Sequence, residues 1–244
     1  MAGNWKMYKT PAETTAFFEK FRPLVERAGH CEIVIFPPYT DIAAAVAAAQ
    51  GTRIGIGAQD LYWAKEGAFT GEVSGPMIKA CGCTHVLVGH SERRQYFEET
   101  DETVLQRTIA ALEAGLSPVV CVGEHLKDRE AGETEAVLEL QFRGGIALLS
   151  PQQFGRIAIA YEPVWAIGTG KTATPEIAAD AHRVLRGQVR KHYGAAAGDA
   201  VRILYGGSVK PDNVRSLMAQ PEIDGVLVGG ASLDANSFAS IVNF

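Results

Sequence analysis

The chain has 244 residues, a formal net charge of −5, 47% hydrophobic and 21% charged residues. That balance excludes wholesale disorder and allows a core large enough to need no disulfide or metal staple. A mildly acidic chain is a poor nucleic-acid partner, since binders of the phosphate backbone carry a basic face; a small anion held at one local positive site remains compatible.

Four cysteines, Cys31, Cys81, Cys83 and Cys121, lack the spacing of a metal site. Cys81-Gly82-Cys83 has no second pair and no histidine cluster beside it, so reduced thiols and no metal are expected. Met1-Ala2-Gly3-Asn4 is not a basic segment followed by an apolar one. No apolar run reaches the ~18 residues of a membrane span, and the alanine-rich Ile42–Ala49 is too short. A cytoplasmic protein without a membrane partner is the expectation.

In chain order, runs of β-branched residues predict strands at Glu32–Phe36, Arg53–Ala58, His85–Val88, Pro118–Val122, Arg156–Ala160, Arg202–Leu204 and Val226–Val228. Their apolar runs are nearly continuous, as in parallel strands buried on both faces. An eighth strand falls on the stub before Asn4. Helices alternate with them. Thr10-Pro11-Ala12-Glu13 reads as an N-cap, a first-turn proline and a capping-box glutamate. Thr174-Pro175-Glu176 opens a helix running to Tyr193 and stopped by Gly194. Thr100–Ala114 ends at Gly115, Pro211–Ala219 ends before Pro221, and Glu124–Leu149 is helical in its middle. Eight βα units without a linker predict an α/β fold, a single (β/α)8 barrel domain over residues 1–244 with a shortened first strand, rather than an open doubly wound sheet.

In such a barrel the residues just after each strand face the functional site. After the stub comes Asn4-Trp5-Lys6-Met7, whose ammonium can attract an anion; a solvated surface lysine is the plainer reading. After the fourth strand comes Gly89-His90-Ser91-Glu92-Arg93-Arg94. A backbone N–H there can bond one ring nitrogen of His90, and the helix start disfavours the protonated ring. Taken singly, a histidine is more often structural, and His30, His85, His125, His182 and His192 are read so. After the sixth strand Glu162 stands at the rim, followed by an apolar, glycine-ended loop that could close as a lid; a salt-bridged glutamate on an ordinary loop is the alternative. Tyr205-Gly206-Gly207-Ser208 and Gly229-Gly230-Ala231-Ser232 follow the last two strands, the usual phosphate site of a barrel, and imply a phosphorylated substrate.

Together Asn4-Trp5-Lys6-Met7, Gly89–Arg94, Ala160–Lys171 and Tyr205–Val209, with Ala68–Glu72 and Val120–Glu124, resemble the triosephosphate isomerase family from Gly3 to the chain's end. The resemblance implies interconversion of dihydroxyacetone phosphate and D-glyceraldehyde 3-phosphate through an enediolate, in glycolysis and gluconeogenesis, with a triose phosphate substrate and no cofactor. It makes Glu162 the base, His90 the electrophile and proton shuttle, Lys6 the electrostatic partner, Asn4 a substrate contact and Glu92 a supporting carboxylate. Gly168, Ser208, Gly229 and Gly230 match phosphate-binding positions. These roles are the family's established ones and come with the resemblance, not from spacing. The resemblance also implies a homodimer, with a tetramer as the alternative. In it the segment Tyr62–Glu72, read as an extended loop, docks into the second subunit through Phe69 and Thr70. Another phosphate-binding barrel enzyme, such as a Schiff-base aldolase, and a sugar-phosphate sensor are the competing readings. Family members carry more apolar residues ahead of the asparagine. From this we expect a natural start a few residues earlier, and unpaired backbone groups near Glu32–Val34 and Gly225–Val226.

Overall fold

In the computed structural model, residues 1–167 and 172–244 are described. The first half of the chain runs β1 (Ala2–Asn4), α1 (Pro11–Val25), β2 (Ile33–Phe36), α2 (Ile42–Ala49), β3 (Ile54–Ala58), α3 (Gly75–Ala80), β4 (His85–Val88), α4 (Ser91–Tyr96) and α5 (Asp101–Glu113). The second runs β5 (Ser117–Val122), α6 (Leu126–Glu130), α7 (Thr134–Gly145), α8 (Pro151–Phe154), β6 (Ala158–Tyr161), α9 (Pro175–Tyr193), α10 (Ala195–Ala200), β7 (Ile203–Tyr205), α11 (Val214–Met218), β8 (Gly225–Val228) and α12 (Ala235–Val242). All neighbouring strands are parallel, and β8 returns to β1, closing an eight-stranded barrel.

The core divides into two layers because successive strand residues point to opposite faces. Inside the barrel lie Val34, Phe36, Leu87, Val119, Cys121 and Leu227 with smaller alanines. Large and small residues complement each other there: a Cβ on Gly57 of β3 would sit 2.4 Å from the Phe36 ring, so glycine is what lets that ring cross the barrel. Outside, residues such as Ile35, Val88 and Ile159 meet the helices. Phe17 and Phe21 of α1 stack at 5.1 Å, and Phe21 stacks on Phe238 of α12 at 5.2 Å, so the first and last helices share one aromatic seam.

The helix signals read at Thr10 and Thr174 hold, whereas the helix expected over Pro211–Ala219 begins only at Val214. Thr10 makes the full capping box with Glu13, and α9 starts at Pro175 under the Thr174 cap and ends at Gly194, whose φ is +93°. Several strands shift by one or two residues. Arg53, Arg156 and Arg202 stay outside the ladder, their guanidiniums bonding carbonyls or Glu32, while Tyr161 and Tyr205 enter it. The expectation of unpaired groups at the barrel floor is corrected on the β2 side, where the Met1 ammonium donates to Glu32 O at 2.6 Å and Val34 N–H donates to Met1 O at 2.9 Å; β1 pairs with β8 at Leu227 and Val228. Tyr62–Glu72 is not extended. Tyr62 stacks on Trp63 at 4.1 Å and meets Phe69 at 4.6 Å, and the Arg107 guanidinium covers Trp63, giving the segment its own small aromatic cluster.

One ion cluster ties α9 to the start of β8. Arg186, 6% exposed, donates to Glu222 Oε2, Asp224 Oδ2 and the carbonyls of Gly198, Val201 and Glu222. Removing Arg186 leaves the Gly198 and Val201 carbonyls and two part-exposed carboxylates without their donor, a loss of roughly 3 kcal/mol, the low end for a buried pair. Arg186→Leu is therefore expected to lower the melting temperature by about 10 °C with the site unchanged, read by thermal melts; a shift under ~3 °C would show that the cluster is dispensable.

Candidate active site

The C-terminal strand ends of the barrel bring Asn4, Lys6, His90, Glu92 and Glu162 to one mouth. The segment after β1 is pinned first: Trp5 is fully buried and its Nε1–H donates to Ser232 O at 3.0 Å. This holds Lys6 in a left-handed backbone conformation, φ 52°, which a side-chain-bearing residue adopts only when its surroundings impose it. Asn4 Oδ1 accepts from Lys6 N–H at 3.0 Å, and Gln59 Nε2–H donates to Lys6 O at 2.8 Å. The Lys6 ammonium then reaches Glu92 Oε1 at 2.5 Å.

His90 is the N-cap of α4. Its Nδ1 accepts the backbone N–H of Glu92 at 3.3 Å, so the other ring nitrogen carries the proton, and Nε2 lies 2.8 Å from Glu162 Oε1. Glu162, 2% exposed, receives a second donor from the backbone N–H of Ser91 at 2.8 Å. A carboxylate buried this deeply needs both. Burial pushes the Glu162 carboxyl up, but the charge and hydrogen bond of His90, with the Ser91 N–H, bring it below its ordinary value. Burial likewise works against a charged imidazole, and here the Glu162 carboxylate outweighs it and raises His90. The expected dipole effect on the ring is thus overridden by the facing carboxylate.

Sequence reasoning missed the groups that seat Glu162. A Cβ on Gly123 would stand 1.7 Å from Glu162 O, and one on Gly206 would stand 2.9 Å from Glu162 Cγ. Both glycines are close-approach positions that the motifs Val122-Gly123-Glu124 and Tyr205-Gly206-Gly207 contained without revealing. Glu124 was also overlooked: it is fully buried, and its Oε1 accepts from Tyr161 Oη at 3.0 Å and from Trp165 Nε1 at 2.9 Å, holding the segment that follows Glu162. At the glycines expected to bind phosphate, a Cβ on Gly229 would lie 3.5 Å from Lys6 Cε, so that turn and the lysine stem are neighbours; Gly230 has open space around it. Ser208 accepts from Asn213 Nδ2 through its carbonyl at 3.0 Å. Gly168 lies outside the described residues, as do Thr169, Gly170 and Lys171 of the expected lid.

An ammonium, an imidazole and a buried carboxylate at the C-terminal mouth of a (β/α)8 barrel, beside glycine turns after β7 and β8, define the class of barrel enzymes that move protons on small phosphorylated substrates. The comparisons narrow the class. The family model for triosephosphate isomerase matches residues 1–244. A triosephosphate isomerase from Solibacter usitatus is 75% identical over all of this chain and 98% of its own length, and one from Moorella thermoacetica is 55% identical over 100% and 97%. The crystal structure of triosephosphate isomerase from Bartonella henselae superposes with a TM-score of 0.90 at 35% identity, covering 100% of this chain and 97% of that one. The chain belongs to the triosephosphate isomerase family.

Proposed function

We propose that the chain interconverts dihydroxyacetone phosphate and D-glyceraldehyde 3-phosphate, the step of glycolysis and gluconeogenesis that its family performs, with Glu162, His90 and Lys6 doing the chemistry. The observation that carries the assignment of roles is the hydrogen-bonded pair of His90 Nε2 and Glu162 Oε1, 2.8 Å apart, on the same mouth as Lys6. The Glu162 carboxylate removes a proton from the carbon beside the carbonyl. The carbonyl oxygen becomes an enediolate oxygen, met by the His90 Nε2–H and the Lys6 ammonium where its charge develops. His90 passes a proton between the two enediolate oxygens, so that the former hydroxyl oxygen becomes the new carbonyl, and Glu162 returns its proton to the neighbouring carbon; no atom is gained or lost. Asn4 and Glu92 hold Lys6 in place, and Gly168, Ser208, Gly229 and Gly230 take the phosphate. In a coupled assay the purified chain is expected to isomerise both triose phosphates without added metal or nucleotide. An aldolase would instead cleave a longer sugar phosphate, and a sensor would bind without turnover.

The chain also works, on this reading, as one domain spanning 1–244 and as a cytoplasmic homodimer. Among the described residues no helix is long and apolar enough to cross a membrane. Large apolar side chains stand exposed on the segments after β1, β3 and β4: Met7 at 92%, Tyr8, Phe69, Met77, Tyr96 and Phe97. A second subunit would cover such a surface. Phe69 and the neighbouring Thr70 sit at its exposed turn. Phe69→Asp is expected to give monomers by analytical ultracentrifugation with activity lost in parallel. A variant that stays dimeric, or is monomeric and fully active, removes this loop from the interface.

A further inference from the structure

Arg94 closes the Gly89–Arg94 motif, and nothing above gives it work. β4 stops at Val88, which pairs with Val120 of β5. The next residue of β5, Cys121, would face Gly89, but Gly89 leaves the ladder at φ +70°, and a Cβ there would stand 2.6 Å from Val104 Cγ2. Two carbonyls are thereby left without a strand partner, and one guanidinium takes both. Arg94 Nε–H donates to Gly89 O at 2.9 Å and Nη2–H donates to Cys121 O at 3.3 Å. Its charge is matched by Asp101 Oδ1, 2.7 Å from Nη1 at the start of α5. Both carbonyls belong to catalytic neighbourhoods. Gly89 immediately precedes His90, and the fully buried Cys121 sits inside the barrel on β5, paired with β6, the strand that leads into Glu162.

We propose that Arg94 is a positioning residue for isomerisation. Its planar fork replaces the missing β4 partner of β5 and fixes the Gly89–His90 peptide, so that the His90 ring is held against the strand beside Glu162. The fork geometry matters because three acceptors in three directions are bound at once, which a lysine ammonium on a flexible stem cannot reproduce. The proposal rests on His90 acting as the electrophile, as argued above.

A double-mutant cycle tests it. Arg94→Lys keeps a cation for Asp101 but loses the fork. Its kcat is expected to fall about 10- to 100-fold, the scale of an ångström-level misplacement, while KM stays within about two-fold. Asp101→Asn weakens the same ion pair yet leaves both carbonyl bonds, and is expected to retain parental kcat. Added to His90→Gln, Arg94→Lys should cost nothing more, because the residue acts only through that ring. Parental kcat in Arg94→Lys, an equal loss in Asp101→Asn, or a full further loss on top of His90→Gln would each overturn the proposal. If Arg94→Lys does not fold, Arg94→Gln, which keeps N–H donors without charge, takes its place under the same criteria. A His90→Gln protein with parental kcat would sink the role of His90 itself, whereas an impaired one beside an unimpaired Arg94→Lys would sink only this inference.

Discussion

Glu162→Gln is expected to lower kcat by at least about 10³-fold, within the range that an essential proton-transfer group contributes, with KM changed far less. The amide keeps the shape, but its single oxygen can accept from only one of the two donors, the Ser91 N–H or the His90 Nε2–H, which in the parent bind separate carboxylate oxygens. The variant therefore removes the ability to take a proton together with one of the two hydrogen bonds. Retention of a tenth of the activity would take Glu162 out of the mechanism. The same variant has a thermodynamic signature. Glu162 is depressed below its unfolded value of 4.5, so its contribution to stability is present above that pH and is lost as pH falls through the folded value. His90 is raised above 6.5, so its contribution is complete below that pH and is lost as pH rises through the folded value. The two overlap between pH 4.5 and 6.5. Across that window the melting-temperature difference between the parent and Glu162→Gln should shift most in the parent's favour. A difference that is flat with pH would mean the two groups do not titrate as a pair.

Lys6→Met is expected to be comparably severe but to distribute its effect differently. The ammonium lies against Glu92 and close to the Gly229 turn, so one charge faces both the developing enediolate and the phosphate loop. Methionine preserves most of the volume and all of the apolar stem. We expect kcat to fall roughly 10²–10³-fold, as when one preorganised electrostatic group is withdrawn, and KM to rise as well. The dependence of kcat/KM on ionic strength should weaken, since the attraction between the mouth and an anion is screened by salt only while the charge is present. Lys6→Arg should not rescue, because a guanidinium cannot occupy the space of a point charge already bound to Glu92. A Lys6→Met enzyme with changed KM and parental kcat would limit Lys6 to binding.

Lys6, His90 and Glu162 were each legible from one rule, that the residue following a barrel strand faces the site. Asn4-Trp5-Lys6 and Gly89-His90 stood at such ends as soon as the strands were drawn. Long helices with strong stop signals were equally legible. Pro175–Tyr193 was read with both its start and its approximate end because Thr174, Pro175 and Gly194 act on their own backbone. Short helices were not legible. Gly75–Ala80 and Ala195–Ala200 are each 6 residues long, too few to display a helical period, and they form because the surrounding elements hold them. The conformation of Tyr62–Glu72 was misread for a related reason: its order comes from Tyr62, Trp63 and Phe69 packing on one another beneath Arg107, which composition does not reveal.

By itself the sequence determined the βα order, the buried parallel strands, the helix caps and which side chains end up at the mouth, because those depend on interactions between residues a few positions apart. Only the tertiary structure decided what those side chains do to one another. His90 meets a carboxylate 72 positions away, and Lys6 meets Glu92 across 86. The backbone of Gly123 passes so close to Glu162 that no side chain fits between them. Such contacts arise when the barrel closes and brings side chains from distant strand ends within 3 Å of each other. The resulting shifts at Glu162 and His90 are set by burial and by the facing charge, neither of which has a local signature in the chain.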